Sequence, residues 1–318
     1  MRLIAFGLLG WILGCASSSA PPDERVVVAL TMDWEGAYIA DQGLGALADL
    51  RAHVNAPVTH FVCPAYLTKR DPDPDTLATL REAVRAGDEL AVHLHGWASL
   101  AQAAGIAPRT SPSFLSGTDD LVAVEDDRGF DLDPDAYDVA GLRALVRTTR
   151  ALLERTGLPV SRSFRAGGYL ATPKLQQAIR DEGFTVDSSA IDYRQLDELG
   201  DALLPARVHQ LWPTATPTSQ PWVLGGGLLE MPIGGVTDYA TAAELAAPID
   251  AACAKARAQP GRKQFVVLAF HLEDGEDFTS RLRDAVAAPR SCDGLVFTTL
   301  EHAAELARAE IAGYNASR

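Results

Sequence analysis

Asp33 and Glu35 in V-V-V-A-L-T-M-D-W-E-G, and His93 and His95 in E-L-A-V-H-L-H-G-W, are two pairs of metal-binding or acid–base side chains with the same spacing. Each pair closes an apolar run that reads as a buried strand, and residues two apart on a strand point to one side. Four such groups can therefore converge at the ends of two strands. Burying two imidazoles and two carboxylates is costly unless they pair, hydrogen-bond or hold a cation. A divalent metal is the simplest reconciliation.

The elements that must position these groups follow from the hydropathy pattern. Strand-like runs cover 26–32, 58–63, 89–95, 161–165, 184–188, 228–233, 265–271 and, shorter, 295–298. Helical patterns lie between them, such as 138–156, which opens on an aspartate and stops at Gly157, and 173–182, which opens with Thr172-Pro173 and stops at Gly183. The alternation predicts an α/β fold with helices outside a parallel sheet. Seven or eight strands favour a distorted (β/α) barrel, a single domain over 21–318, with its site at the carboxyl ends of the strands. An open doubly wound sheet is the alternative, but no glycine-rich phosphate loop follows the first strand. Asp33, Glu35, His93, His95, Arg165 and His271 all fall at carboxyl ends, whereas His53, His60, His209 and His302 read as core histidines with satisfied hydrogen bonds.

With 318 residues and 47% hydrophobic content the chain can bury one large core, and its formal net charge of −14 excludes the basic face that nucleic acid binding requires. Residues 1–20 read as a signal and tether. One arginine precedes an apolar stretch over 3–13 that is too short to span a bilayer. Ile12-Leu13-Gly14-Cys15 resembles a bacterial lipobox, which implies lipidation at Cys15, and Ala16 implies the outer membrane, making this an exported lipoprotein of the cell envelope. In that oxidising compartment Cys63 is expected as a buried free thiol, while Cys253 and Cys292 could form one disulfide. Spacing alone leaves that pairing open.

The ordered set of motifs resembles the polysaccharide deacetylase family (carbohydrate esterase family 4), which includes chitin and peptidoglycan deacetylases and some linear amide hydrolases. T-M-D-W-E-G is similar to its first motif and E-L-A-V-H-L-H-G-W to its metal-binding motif. S-F-R-A-G-G-Y is similar to the arginine motif, and V-V-L-A-F-H-L-E-D to the motif of the acid histidine. The resemblance spans most of 25–312. Three departures mark a divergent branch: Trp97 stands where the second histidine usually falls, so His95 substitutes by position; Asp33-Trp34-Glu35 replaces an adjacent aspartate pair; and no proline follows Arg165.

The resemblance implies a metal-dependent hydrolase that removes acetyl groups from N- or O-acetylated glycans. Glu35, His93 and His95 are the implied ligands of a divalent metal, zinc first; Asp33 is the base, Arg165 orients it, and His271 protonates the leaving amine, with Glu273 or Asp274 supporting that imidazole. Trp97, Gly168 and Tyr169 are the expected substrate contacts, through stacking and through backbone N–H groups around 167–169. The acidic segment 98–138 is expected as a solvated loop rather than a calcium site, since Asp131-x-Asp133-x-Asp135 lacks the glycine and glutamate of a calcium loop. Two other readings stay open: an amidohydrolase acting on a non-sugar linear C–N bond, and an inactive, surface-anchored glycan-binding module.

Overall fold

A computed structural model describes residues 24–115, 121–199, 203–273 and 275–316. The expected signal and tether with Cys15, and also Asp274, lie outside the described residues. The chain runs β1 (Val26–Trp34), α1 (Asp41–His53), β2 (Val58–Val62), α2 (Thr76–Ala83), β3 (Glu89–Leu94), α3 (Ala98–Ala103), β4 (Ala123–Val124), β5 (Asp127–Arg128), α4 (Val139–Glu154), β6 (Val160–Ala166) and α5 (Pro173–Asp181). It continues through β7 (Val186–Asp187), α6 (Leu203–Leu211), β8 (Trp222–Val223), β9 (Leu229–Glu230), β10 (Ile233–Val236), α7 (Ala242–Ala258), β11 (Gln264–His271), α8 (Gly275–Ala287), β12 (Leu295–Thr298) and α9 (Leu300–Ala316).

The main sheet has the order β10-β11-β1-β2-β3-β6-β7-β9-β8, parallel throughout except between β8 and β9. The nine-residue β1 serves two neighbours on one edge: its first half pairs with β12 and its second half with β2. The run expected as one strand over 228–233 is broken at Met231-Pro232, because proline has no N–H for the ladder. Its first piece, β9, pairs with β7 and its second, β10, with β11, so the sheet curls round on itself as a distorted barrel.

Strand periodicity then sorts the side chains. Val26, Val28, Leu30, Met32 and Trp34 of β1 join the outer core with Leu47 and Leu50 of α1, Leu145 of α4, Leu175 of α5 and Leu245 of α7. Val27 and Ala29 join a separate inner core with Phe61, Ala91, Val186, Phe265 and Val267, and α9 closes it from below with Leu300, Ala303, Ala304 and Ala307. The inner rows change from apolar to polar toward their carboxyl ends: Val27-Ala29-Thr31-Asp33 on β1 and Ala91-His93 on β3. The amino end of the barrel is therefore a plugged core, and chemistry is confined to the other end.

Glu89 fastens the plug. Its carboxylate accepts hydrogen bonds from Thr59 Oγ1 (2.9 Å), Ser161 Oγ (2.7 Å) and the Glu301 N–H (2.9 Å) in the first turn of α9. A carboxylate at a helix amino terminus also meets the favourable end of the helix dipole. Cys253 and Cys292 are joined as a disulfide, tying α7 to the loop before β12, and Cys63 is a buried free thiol pushed up to about 12 by burial.

The segment 98–138 is not a solvated loop. It carries α3 and the β4–β5 hairpin, and among its described residues Asp127, Asp131 and Asp133 are buried in internal contacts, while Glu125 and Asp126 stay at the surface. Asp131 is buried and accepts from Ser113 Oγ and the Val122 N–H, while Asp133 is buried against Arg207 at 2.7 Å. Of the four histidines expected in the core, only His60 is there, accepting from the Trp34 indole N–H at 3.2 Å; His53, His209 and His302 are exposed.

Replacing Glu89 by alanine leaves two hydroxyls and one buried N–H without their acceptor. Urea denaturation should show Glu89→Ala less stable by about 1–3 kcal/mol, with amides of α9 the first to gain hydrogen exchange.

Candidate active site

The ends of β1, β3, β6 and β11 bring together all six side chains that the sequence placed there. His93 ends its inner row on β3, and His95 follows just beyond the strand. Their rings meet edge to face with Nε2 atoms 3.1 Å apart. Glu35 lies across from them, Oε2 at 2.5 Å from His95 Nε2 and Oε1 at 3.3 Å from His93 Nε2.

The outer nitrogens decide what the inner ones are. His93 Nδ1 donates to the carbonyl of Arg165 at 3.0 Å, and His95 Nδ1 donates to the carbonyl of Phe130. Neutral imidazoles bonded in this way present bare Nε2 lone pairs, so two nitrogens and a carboxylate converge as three acceptors with no donor between them. Only a proton or a cation relieves that arrangement. Burial pushes the Glu35 carboxyl up, but the two imidazoles outweigh it and hold it well below its ordinary range; burial likewise lowers His95, and the charge of Glu35 overrides it and raises the imidazole. The donor set, with each histidine oriented by a carbonyl, fits a divalent metal of the zinc class.

Asp33 and His271 flank this triad. Asp33 is 1% exposed and Arg165 is fully buried, with Nη1 at 2.7 Å from Asp33 Oδ1. Arg165 reaches across the barrel from β6 to β1, stacks over the Phe61 ring at 4.3 Å, and donates to Thr31 Oγ1, the Ser188 carbonyl and Ser188 Oγ. His271 presents Nε2 at 3.8 Å from Asp33 Oδ2 and 3.4 Å from Glu35 Oε1. Its Nδ1 is held by Asp238 at 2.8 Å. Asp33, Glu35 and His271 thus form a second group of convergent ligand atoms, but Asp33 is committed to arginine and His271 to Asp238, which leaves Glu35, His93 and His95 for the metal.

No protein-family model and no curated protein sequence matches this chain. Solved structures do. A provisionally designated polysaccharide deacetylase from Mycobacterium smegmatis superposes with a TM-score of 0.55 at 17% identity, over 92% of this chain and 93% of its own. The chain has the polysaccharide deacetylase fold. The allantoinase PuuE superposes with a TM-score of 0.52 at 12% identity, again over 92% and 93%. At such identities the likeness speaks for the fold, and the activity must be argued from the residues.

Two expectations of the sequence analysis are corrected. Trp97 is fully buried and is not among the residues lining the cavity; its indole N–H donates to the Glu35 carbonyl at 2.9 Å, which fixes the backbone that presents the Glu35 carboxylate. Glu273 takes its hydrogen bonds from other groups, and its charge meets that of His271 only through space. Its Oε1 accepts from the Glu35 N–H and from Tyr66 Oη, both at 3.1 Å, and burial followed by the charge of Glu35 pushes it up to about 8. The hydrogen-bonded support of His271 comes instead from Asp238, two residues beyond β10, a position that the broken 228–233 run concealed.

Gly168 and Tyr169 do line the cavity, with φ of +58° and +64°. A Cβ on Gly167 would come within 2.4 Å of the His95 ring, and one on Gly168 within 2.7 Å of the Phe114 ring. These glycines let the turn after β6 pass against the His95 imidazole and the wall of the site. The cavity measures about 240 Å³, and the 98–138 segment supplies Phe114, Leu115 and Phe130 to its wall, facing Leu204 and Tyr239.

Metal analysis of the purified protein should find about one divalent ion per chain, lost in Glu35→Gln, His93→Ala and His95→Ala. Binding requires neutral His95, whose affinity for protons Glu35 raises. Occupancy should therefore be complete at alkaline pH and fall with acidification, starting above the ordinary imidazole value of about 6.5.

Proposed function

We propose that this protein is a metal-dependent hydrolase that removes acetyl groups from N- or O-acetylated glycans. The observation that carries the reading is the meeting, in one cavity, of an acceptor-only triad with two separately oriented proton carriers, Asp33 and His271. Binding alone needs no such pair, which argues against an inactive glycan-binding module.

A divalent metal held by Glu35, His93 and His95 supplies an acidified water and polarises the substrate carbonyl. The other steps belong to side chains. Asp33, with Oδ1 tied to Arg165, turns Oδ2 to the cavity and takes the proton of the water whose oxygen bonds to the carbonyl carbon. Arg165 fixes the orientation of Asp33 through the 2.7 Å hydrogen bond to Oδ1. His271, its Nδ1–H directed at Asp238, delivers a proton from Nε2 to the departing nitrogen or oxygen as its bond to the carbonyl carbon breaks. The walls of Phe114, Leu115 and Phe130 exclude water and strengthen each of these polar contacts.

A second reading, hydrolysis of a non-sugar linear C–N bond, is favoured by the cavity itself. At about 240 Å³ it lies below the roughly 300–1,000 Å³ of ordinary small-molecule sites. Phe114, Leu115, Phe130, Leu204 and Tyr239 form its apolar walls, and among the described residues no tryptophan lines it. The similarity to an allantoinase supports the same possibility. Acetate or amine release, measured on acetylated amino-sugar oligomers beside small linear amides, separates the two.

Asp33→Asn and His271→Ala should keep the fold and lose roughly a hundredfold or more in rate. In pH profiles of the wild type, Asp33 is needed ionised and His271 protonated, so activity should rise and then fall with pH; His271→Ala should flatten the alkaline limb. Metal-loaded wild type releasing product from neither substrate group would overturn the enzyme reading.

We further propose that the protein is an exported lipoprotein anchored through Cys15. The lipobox-like sequence supports this, as does the Cys253–Cys292 disulfide, a bond typical of oxidising compartments. Among the described residues no helix is long and apolar enough to cross a membrane. Wild type should fractionate with membranes and carry lipid at Cys15, and Cys15→Ser should be released or remain unprocessed.

A further inference from the structure

Behind Arg165 lies a pair of acidic side chains that the reaction does not consume. Asp187 on β7 and Glu230 on β9 are direct cross-strand neighbours, and both are fully buried. Their side chains are within hydrogen-bonding reach of each other, and the facing atoms, Asp187 Oδ2 and Glu230 Oε2, have no other partner. Two bare carboxylates cannot share that space. Like charges side by side in a buried site force one group to keep its proton.

The other two oxygens are fully engaged. Glu230 Oε1 accepts from the backbone N–H groups of Ser189 (3.0 Å) and Ala190 (2.8 Å), and Asp187 Oδ1 accepts from Ser189 Oγ at 2.5 Å. Ser189 Oγ in turn accepts the Ala166 N–H at 3.0 Å, beside Arg165. Ser188, in the middle of this turn, gives its carbonyl to Arg165 Nε (2.7 Å) and its hydroxyl oxygen to Arg165 Nη2 (3.0 Å), and donates to the Met231 carbonyl (2.8 Å). The acid pair thus locks the turn that holds two of the three guanidinium nitrogens, Nε and Nη2.

We propose that Asp187 and Glu230 share a proton and act as a positioning pair, holding the Ser188–Ser189 turn that aims Arg165 at Asp33. The proposal rests on the reading of Asp33 as the base, and goes beyond it by placing a protonation state three contacts away in control of that base.

Arg165 is the charged group that faces the pair from β6; Arg308 of α9 is directed to the backbone carbonyls of Thr185 and Gly227 instead. Burial pushes Asp187 up to about 7 and, with the charge of Asp187 added, holds Glu230 well above the ordinary carboxylate range. The sign follows: the folded protein binds these protons more tightly than the unfolded chain, so the contribution to stability is complete below the ordinary carboxylate range and declines as pH rises through about 7.

Glu230→Gln separates a shared proton from a merely filled space. The carboxamide keeps the oxygen that receives the Ser189 and Ala190 N–H groups and offers Asp187 a permanent N–H in place of the proton. Three readouts decide. The unfolding temperature of the wild type should fall from about pH 5 to about pH 9, and that fall should shrink in Glu230→Gln. The side-chain Nε–H resonance of Arg165 should be retained in Glu230→Gln and lost or shifted in Glu230→Ala. Hydrolysis at neutral pH should stay within about threefold of wild type in the glutamine variant and drop at least about tenfold in the alanine variant. A glutamine variant with an unchanged pH slope, or as impaired as alanine in the Arg165 signal, overturns the proposal. Absence of hydrolysis in the wild type would sink the assigned reaction alone, because the thermal and resonance measurements need no substrate.

Discussion

The contact on which the site depends is the buried ion pair between Arg165 and Asp33. Taking two charges out of water is expensive, and the cost is recovered only when geometry is good and the remaining donors are satisfied. Here the guanidinium stacks on Phe61 and donates to a carboxylate, two hydroxyls and a carbonyl. Those partners lie on β1 and on the turn after β7, so the arginine spans the barrel and ties opposite walls together. Removing either charge leaves the other uncompensated in the interior, a loss of about 3–5 kcal/mol in comparable pairs.

Around that pair the barrel is organised by depth. The apolar floor sealed by α9 lies beneath the ion pair, and Thr31 and Ser188 are the hydroxyls that take its hydrogen bonds. Above it the site is rich in acceptors: Asp33, Glu35, Asp238, Glu273 and two imidazole lone pairs face one cavity. Such a concentration of acceptors is unstable by itself. Arg165 answers it at Asp33, protonation answers it at Glu273, and a divalent cation is the natural answer at Glu35, His93 and His95.

The fold leaves the substrate undecided. A deacetylase-designated protein and an allantoinase superpose on this chain almost equally well, so the barrel serves as a frame rather than a statement of chemistry. In this chain the described part of 98–138 supplies one wall of the cavity. Asp131 and Asp133 are turned inward to a hydroxyl, an N–H group and Arg207, and Phe114, Leu115 and Phe130 line the cavity beside His93 and His95. The segment thus shapes the cavity with apolar surface, and these two aspartates hold it in place.

The sequence by itself determined the α/β barrel and the positions of six site residues. A period of two along an apolar run specifies which side chains share a face, so Asp33 with Glu35 and His93 with His95 could be read as pairs, and Arg165 and His271 could be placed at strand ends. It also offered Cys253 and Cys292 as partners without deciding the pairing, since a disulfide depends on distance in space. Only the tertiary structure showed that Asp238, not Glu273, holds His271, because Pro232 splits a run that hydropathy reads as continuous. Only it placed Trp97 in the core, since an indole beside a site has the same local pattern whether it faces substrate or backbone. The Asp187–Glu230 pair was equally hidden: each lies in a short run with no distinctive spacing, and their meaning comes from cross-strand adjacency, which local periodicity does not encode.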